Sequence, residues 1–191
     1  MTPVDRKGTF MLGPTLEGER VRLIPPTEEM LSNYIRWFSD MEVTRYLSRM
    51  MPPSLTEEKE WFEKTSRSDR DVIWAIMAGD RLIGTSGIHG IDWLNRRAGT
   101  GSMIGEKDEW RKGYASEAHR LRTKFAFSNL GLEKLTSSAV VENVGSIRAL
   151  EKSGYQQWGI ARRHIWAEGK WHDMWHGEVL REEWLLLNEN P

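Results

Sequence analysis

The run Trp110-Arg-Lys-Gly-Tyr-Ala-Ser-Glu117 holds residue types that could grip a pyrophosphate at the mouth of a helix. Gly113 permits a tight turn with no side chain in the way, and Ala115 keeps the next step small. Ser116, Glu117 and Ala118 open a helical run, so the first backbone N–H groups would lack carbonyl partners. Those orphan donors, the positive end of the helix dipole and the cations Arg111 and Lys112 together suit an anion, with Tyr114 and Ser116 completing the wall. The same eight residues also suit an ordinary strand-to-helix turn. A nucleotide-phosphate site of the Gly-Lys-Ser/Thr type is disfavoured, because that ending is missing.

Composition narrows what such a site could serve. With 191 residues the chain can bury one real core but hardly two. A formal net charge of -1 gives no whole-protein field to draw nucleic acid or an anionic membrane, so any anion must be held locally. The absence of cysteine removes disulfides, thiolate nucleophiles and thiolate metal ligands. The polar N-terminus lacks the apolar core of a signal peptide, and no segment approaches a membrane span. The expectation is a cytoplasmic protein with no nucleic-acid or membrane partner. His172 and His176 fall two pleats apart on one face of a strand, with no third ligand nearby, so no metal is expected. Most of the ten tryptophans read as core anchors; Trp93, Trp166 and Trp171 are alternatives for a substrate pocket.

The elements that must position the cradle follow from periodicity. Residues 1–18 carry Pro3, Gly8, Gly13, Pro14 and Gly18 without a repeat and read as a loose arm, leaving 19–191 as one domain. Arg20–Ile24 alternates as a strand, Thr27 starts a helix through Phe38, and Pro52-Pro53-Ser54 caps another through Phe62. Val72–Met77 and Leu82–Ile88 form a hairpin around Gly79-Asp80. Ala98–Gly105 is a glycine-rich strand, as where another backbone or a ligand approaches closely. The helix after Gly113 sets Ala118, Leu121, Phe125 and Ala126 on one face. Lys134–Val141 is a strand, Asn143 caps a helix ended by Gly154, and two strands close the chain around Glu168-Gly169. This order predicts an α+β (mixed α/β) fold around one sheet.

Two blocks then combine. Ile104–Ala118 and Asn143–Tyr155 resemble, in order and spacing, the signature blocks of the Gcn5-related N-acetyltransferase (GNAT) superfamily. Gly169-Lys-Trp-His-Asp173 and Leu180-Arg-Glu-Glu-Trp184 resemble its ribosomal-protein N-terminal acetyltransferase branch. The resemblance spans roughly residues 18–185. It implies a central, mostly antiparallel sheet with two splayed parallel strands, flanked by helices, and acetyl-CoA in the V between Gly101–Gly105 and Lys134–Val141. Met103 and Ile104 would pair with the pantetheine arm, Arg111–Ser116 would wrap the pyrophosphate, and Asn143 and Ser146 would lie near pantetheine and sulfur. Asn143 is equally a helix cap.

The implied reaction moves acetyl from acetyl-CoA to a primary amine of a small molecule or protein N-terminus, in a monomer or homodimer. It needs a base for the amine, a donor for the tetrahedral oxyanion (a backbone N–H near Ile104) and an acid for the thiolate. Gly99 stands where many relatives carry a glutamate base, and Leu150 where many carry a tyrosine acid. Ser146 is the local hydroxyl that could protonate sulfur. His89, Asp92 and Glu142 are candidate bases, and His89 titrates near neutrality, at about 6.5. Loss of the proton through water is an alternative. An acyl-CoA-binding module with lost or weak catalysis is the competing reading. Glu28, Glu29, Asp40, Glu42, Asp92, Glu168 and Asp173 suit a cationic acceptor or a merely solvated surface.

Overall fold

The computed structural model describes residues 12–47 and 51–188. Chain order is β1 (Leu16–Glu17), β2 (Arg22–Ile24), α1 (Leu31–Phe38), α2 (Met41–Thr44), α3 (Leu55–Ser66), β3 (Val72–Ala78), β4 (Arg81–Asp92), β5 (Arg97–Ile104), α4 (Tyr114–Ser128), β6 (Lys134–Val140), α5 (Val144–Glu151), β7 (Gln156–Ala167), β8 (Lys170–Leu180) and α6 (Arg181–Asn188). The strands form one sheet in the order β1-β2-β3-β4-β5-β6-β8-β7. Every neighbouring pair is antiparallel except β5–β6. The fold is the mixed α/β sheet flanked by helices that the sequence predicts.

Two apolar clusters sandwich the sheet. The larger joins Leu23, Trp74, Ile76, Ile83 and Ile88 to Ala118, Phe127, Leu135, Leu150, Trp175 and Val179, all buried. The smaller sets Leu31, Tyr34 and Trp37 of α1 against Phe38, Phe62 and Met103. At the start of α3, Ser54 and Glu57 complete a capping box, each side chain meeting the other's backbone N–H.

Two local features depart from expectation. Part of the supposed loose arm is docked: Gly13 N–H donates to Ile73 O at 3.0 Å, and the Trp74 indole donates to Pro14 O at 2.8 Å. A side chain at Gly13 would run into the Trp74 ring, which is why the contact closes. The part of that arm over residues 1–11 lies outside the described residues. Second, α4 buries Glu117, His119 and Arg122 as well as Ala118 and Ala126, so its buried side carries three ionisable groups.

Candidate active site

The site begins where β5 and β6 part. Their parallel register runs only from Arg97↔Lys134 to Gly99↔Thr136, although both strands continue beyond it. Side chains take over at the vertex: Thr100 Oγ1 donates to Thr136 O at 3.0 Å and Ser137 Oγ to Thr100 O at 3.1 Å. The Tyr155 hydroxyl, 3.0 Å from Thr100 Oγ1, wedges in behind them. These bonds satisfy carbonyls at the fork, and the strand-to-strand ladder does not continue beyond it.

Beyond the fork β5 stays paired with β4, through Ser86↔Ser102, Thr85↔Met103 and Gly84↔Ile104. Gly105 N–H donates to Ile83 O at 2.8 Å. By strand alternation Met103 therefore turns its backbone groups to β4, while Ser102 and Ile104 turn theirs to the gap. The gap-facing pair is thus shifted from the expected Met103 and Ile104. The Ile104 carbonyl already accepts the Trp110 indole N–H at 2.8 Å, which ties the cradle to the end of the strand.

Gly113 has φ 83° and Arg111 φ 63°, both left-handed, and α4 starts at Tyr114. The Glu117 N–H makes a bond to Gly113 O at 3.2 Å, leaving the N–H groups of Tyr114, Ala115 and Ser116 at the open first turn. The Glu117 carboxylate is tied off by Arg20 N, Arg20 Nε and Val21 N at 2.9, 3.0 and 3.3 Å. Burial raises its pKa, but these donors outweigh that and hold it below the usual range. Arg20 Nη1 also donates to Lys112 O at 2.9 Å, so β2 buttresses the loop. The Lys112 ammonium sits 2.8 Å from Glu109, which raises its pKa and shares its charge. Glu106, just before the loop, receives Arg36, the Trp37 indole at 2.8 Å and Arg81 at 2.8 Å, which joins α1 and β4 to the cradle.

On the far side of the gap Asn143 caps α5, its Oδ1 accepting Ser146 N–H at 3.2 Å. The capping role holds. Ser146 lies half-buried in that first turn, and Leu150 is packed into the large core.

On the opposite face of the sheet, α1, α3, β4 and β5 enclose a cavity of about 360 Å³ lined by Tyr34, Phe38, Glu58, Trp61, His89 and Met103. Gly101 and Ser102 also reach it. His89 pairs directly across from Gly99, but its ring lies over Gly87 and Gly101, and only its carbonyl oxygen comes near a Cβ at Gly99. Its Nδ1 lies 3.4 Å from Asp71 Oδ1, and Asp71 is itself fixed by Ser68 Oγ at 2.6 Å and Gly90 N–H at 3.1 Å. Desolvation lowers the His89 pKa; Asp71 opposes this and Arg122 adds to it.

The other candidate bases are engaged elsewhere. Asp92 holds Asn95 and Arg97, and Glu142 accepts the buried His172 at 2.9 Å. His176 meets Ser138 Oγ at 2.8 Å instead, so the two histidines serve different partners. Among the described residues no group of three or more His, Asp or Glu is placed to hold a metal. Trp93 packs on the core, and Trp166 and Trp171 meet edge to face with ring centroids 5.4 Å apart, outside the cavity lining; Trp61 is the tryptophan that lines it. Several of the acids expected to attract a cation are paired: Asp40 and Glu42 share Lys107, Asp92 meets Arg97 and Glu168 meets Arg45. Glu58, buried in the cavity wall, was not singled out by sequence, since it sits among the acids of an ordinary helix start. No described helix is long and apolar enough to cross a membrane.

A sheet that forks between β5 and β6, with a glycine turn opening a helix at its mouth, is the geometry on which comparison with known proteins bears. The family profile described as "Acetyltransferase (GNAT) domain" matches residues 20–156. YoaA of Bacillus subtilis (strain 168), an uncharacterized N-acetyltransferase, is 32% identical over 165 residues, 84% of this chain and 93% of YoaA. A GCN5-related N-acetyltransferase from Brucella melitensis is 26% identical with TM-score 0.74, over 92% of this chain and 82% of that one. Spermidine N-acetyltransferase from Vibrio cholerae, solved with CoA and spermine, shares the fold at TM-score 0.82 and 18% identity, over 88% of this chain and 99% of that one. The chain belongs to the GNAT acetyltransferase family, and its acyl donor is acetyl-CoA.

Proposed function

We propose that the protein transfers acetyl from acetyl-CoA to a primary amine, of a small molecule or a protein N-terminus, by direct attack in a ternary complex. The observation that carries this is the shared wall: Gly101 and Ser102 border both the fork and the aromatic cavity. An amine in the cavity and a thioester in the fork would meet across β5. Arg111, Lys112, Gly113, Tyr114, Ala115 and Ser116 hold the pyrophosphate, and Ile104, Asn143 and Ser146 border the arm. Glu58 and the rings of Tyr34, Phe38 and Trp61 suit a cationic acceptor.

In the reaction the amine nitrogen lone pair attacks the thioester carbon, forming C–N as the C=O π pair moves to oxygen. The gap-facing Ser102 N–H receives that oxyanion. His89, neutral at pH 7 because burial lowers its pKa, takes the amine proton, with Asp71 orienting the ring. The intermediate collapses, C–S breaks, and the Ser146 hydroxyl protonates the CoA thiolate, regaining its proton from water. The closing motifs at Gly169–Asp173 and Leu180–Trp184 favour a ribosomal-type protein N-terminus. Gly99 and the core-packed Leu150 favour the second reading, an acyl-CoA-binding module without turnover.

Release of free CoA thiol from acetyl-CoA, measured over a panel of amines and N-terminal peptides, separates the two. Turnover with at least one acceptor is expected, with an acid limb below the ordinary histidine range, as the lowered His89 pKa requires, that His89→Gln removes. Tight acetyl-CoA binding with no thiol released by any acceptor would favour the binding module. A limb that survives in His89→Gln would assign deprotonation to water.

A further inference from the structure

Arg122 is a buried cation without an acid. It is 0% exposed, and no carboxylate forms an ion pair with it among the described residues. One nitrogen, Nη1, is fully engaged: it donates to Gly101 O at 2.8 Å, Ser102 Oγ at 2.7 Å and Ser86 Oγ at 3.0 Å. Nε and Nη2 are buried with no partner in hydrogen-bond geometry. The Tyr155 hydroxyl lies alongside and supports the charge, but burial dominates and lowers the pKa. A buried charge left in this state destabilises a fold, and replacing it with an apolar side chain of similar size is often neutral or stabilising. The position therefore calls for a functional reason.

The reason lies in which carbonyl it grips. Gly101 O belongs to the same peptide group as the Ser102 N–H. In a trans peptide the two point in opposite directions, and the β4–β5 register sends the Ser102 N–H into the fork. We infer that Arg122 is a positioning residue for acyl transfer: by binding Gly101 O at 2.8 Å it polarises the 101–102 peptide and makes the Ser102 N–H a stronger donor to the thioester oxygen. A hydrogen bond in a chain strengthens the next, more so at low dielectric and when the first donor is charged. Ser86 and Ser102, bonded to each other at 2.8 Å, hold the guanidinium in line with that peptide. The stabilisation that the fixed charge relays grows as negative charge develops on the oxyanion, and the guanidinium touches neither amine nor cofactor, so its effect is largest in the chemical step.

The inference rests on the thioester lying in the fork, and its test separates the two. The infrared carbonyl stretch of [1-13C]acetyl-CoA is recorded bound to wild type and to Arg122→Met, with no amine present. Acceptor turnover and thermal melting are measured in parallel. The stretch is expected at lower frequency on wild type than in water and to move back up in the variant. Turnover is expected to fall roughly tenfold, a part of the 10²–10³ lost when an oxyanion donor is removed outright, with KM for acetyl-CoA little changed. The variant is expected to melt no lower than wild type. A stretch and kcat unmoved by Arg122→Met overturn the inference. A variant that melts lower, with the stretch unmoved, overturns it in favour of a packing role. A stretch on wild type no different from free acetyl-CoA instead places the thioester outside the fork and overturns the site itself.

Discussion

Gly113→Val strikes the cradle at its tightest point. Gly113 has φ 83°, where an L-residue costs roughly 1–2 kcal/mol and a β-branched one resists most. The added Cβ would stand 3.1 Å from Arg20 Nη2, the far end of a side chain that can swing away, so the fold should survive that loss. Binding should suffer more. Moving the backbone out of the left-handed region misaligns the N–H groups of Tyr114 and Ala115, and hydrogen bonds to a charged group are worth about 1.5–3 kcal/mol each. Losing two amounts to roughly 3–6 kcal/mol, about 10²–10⁴ in Kd. Calorimetric titration with acetyl-CoA, beside a melting curve, reads both quantities. Gly113→Ala shares the left-handed backbone cost without the β-branch, so it should lie between. A folded Gly113→Val protein with affinity within about threefold of wild type would refute the cradle, since that is under half the worth of one such bond.

Two further predictions concern protons. Ser146→Ala should lower kcat by the order of 10²–10⁴ if the hydroxyl protonates the thiolate, with acetyl-CoA affinity within a few-fold; a rate equal to wild type with a good acceptor would remove Ser146 from the mechanism. His119 is buried, its Nδ1 has no partner, and burial first, then Arg122, holds its pKa well below the ordinary value. The unfolded chain therefore takes up this proton before the native state does. Stability is full above about pH 6.5 and falls on acidification by up to about 1.4 kcal/mol per pH unit from this group. Denaturant titrations between pH 7 and 5 should show that slope in wild type and a shallower one in His119→Leu; identical slopes would contradict it.

Much of this architecture is legible in sequence because it depends on local chemistry. Gly113 at the helix start, Asn143 at the next helix start and the Gly79-Asp80 turn each carry a backbone requirement that few residues meet. The glycine-rich strand points to close approach, and Gly105 shows it, for a side chain there would strike the Trp37 ring. The role of Trp110 was hidden, because its bond to Ile104 O depends on how the loop folds back. So was the His89–Asp71 contact, which joins residues from two neighbouring strands' ends. Shifting the gap-facing residue from Met103 to Ser102 needed the register with β4, since strand alternation has no absolute phase in a run where both faces are covered. Arg122 falls four residues after Ala118 on the stripe that also carries Ala126. A cation on a core-facing stripe marks either an ion pair or a site.

Amide hydrogen exchange with and without saturating acetyl-CoA tests the central claim most directly, because it reports the fork and the cradle separately from the rest of the sheet. Slower exchange is expected at Ser102 and Ile104, whose N–H groups face the gap, and at Tyr114 to Ser116 in the first turn of α4. The edge strand β7, far from both, should exchange at an unchanged rate. Protection at those five amides is the predicted result. Acetyl-CoA that binds while leaving them unprotected would contradict the assignment of the fork as the cofactor site.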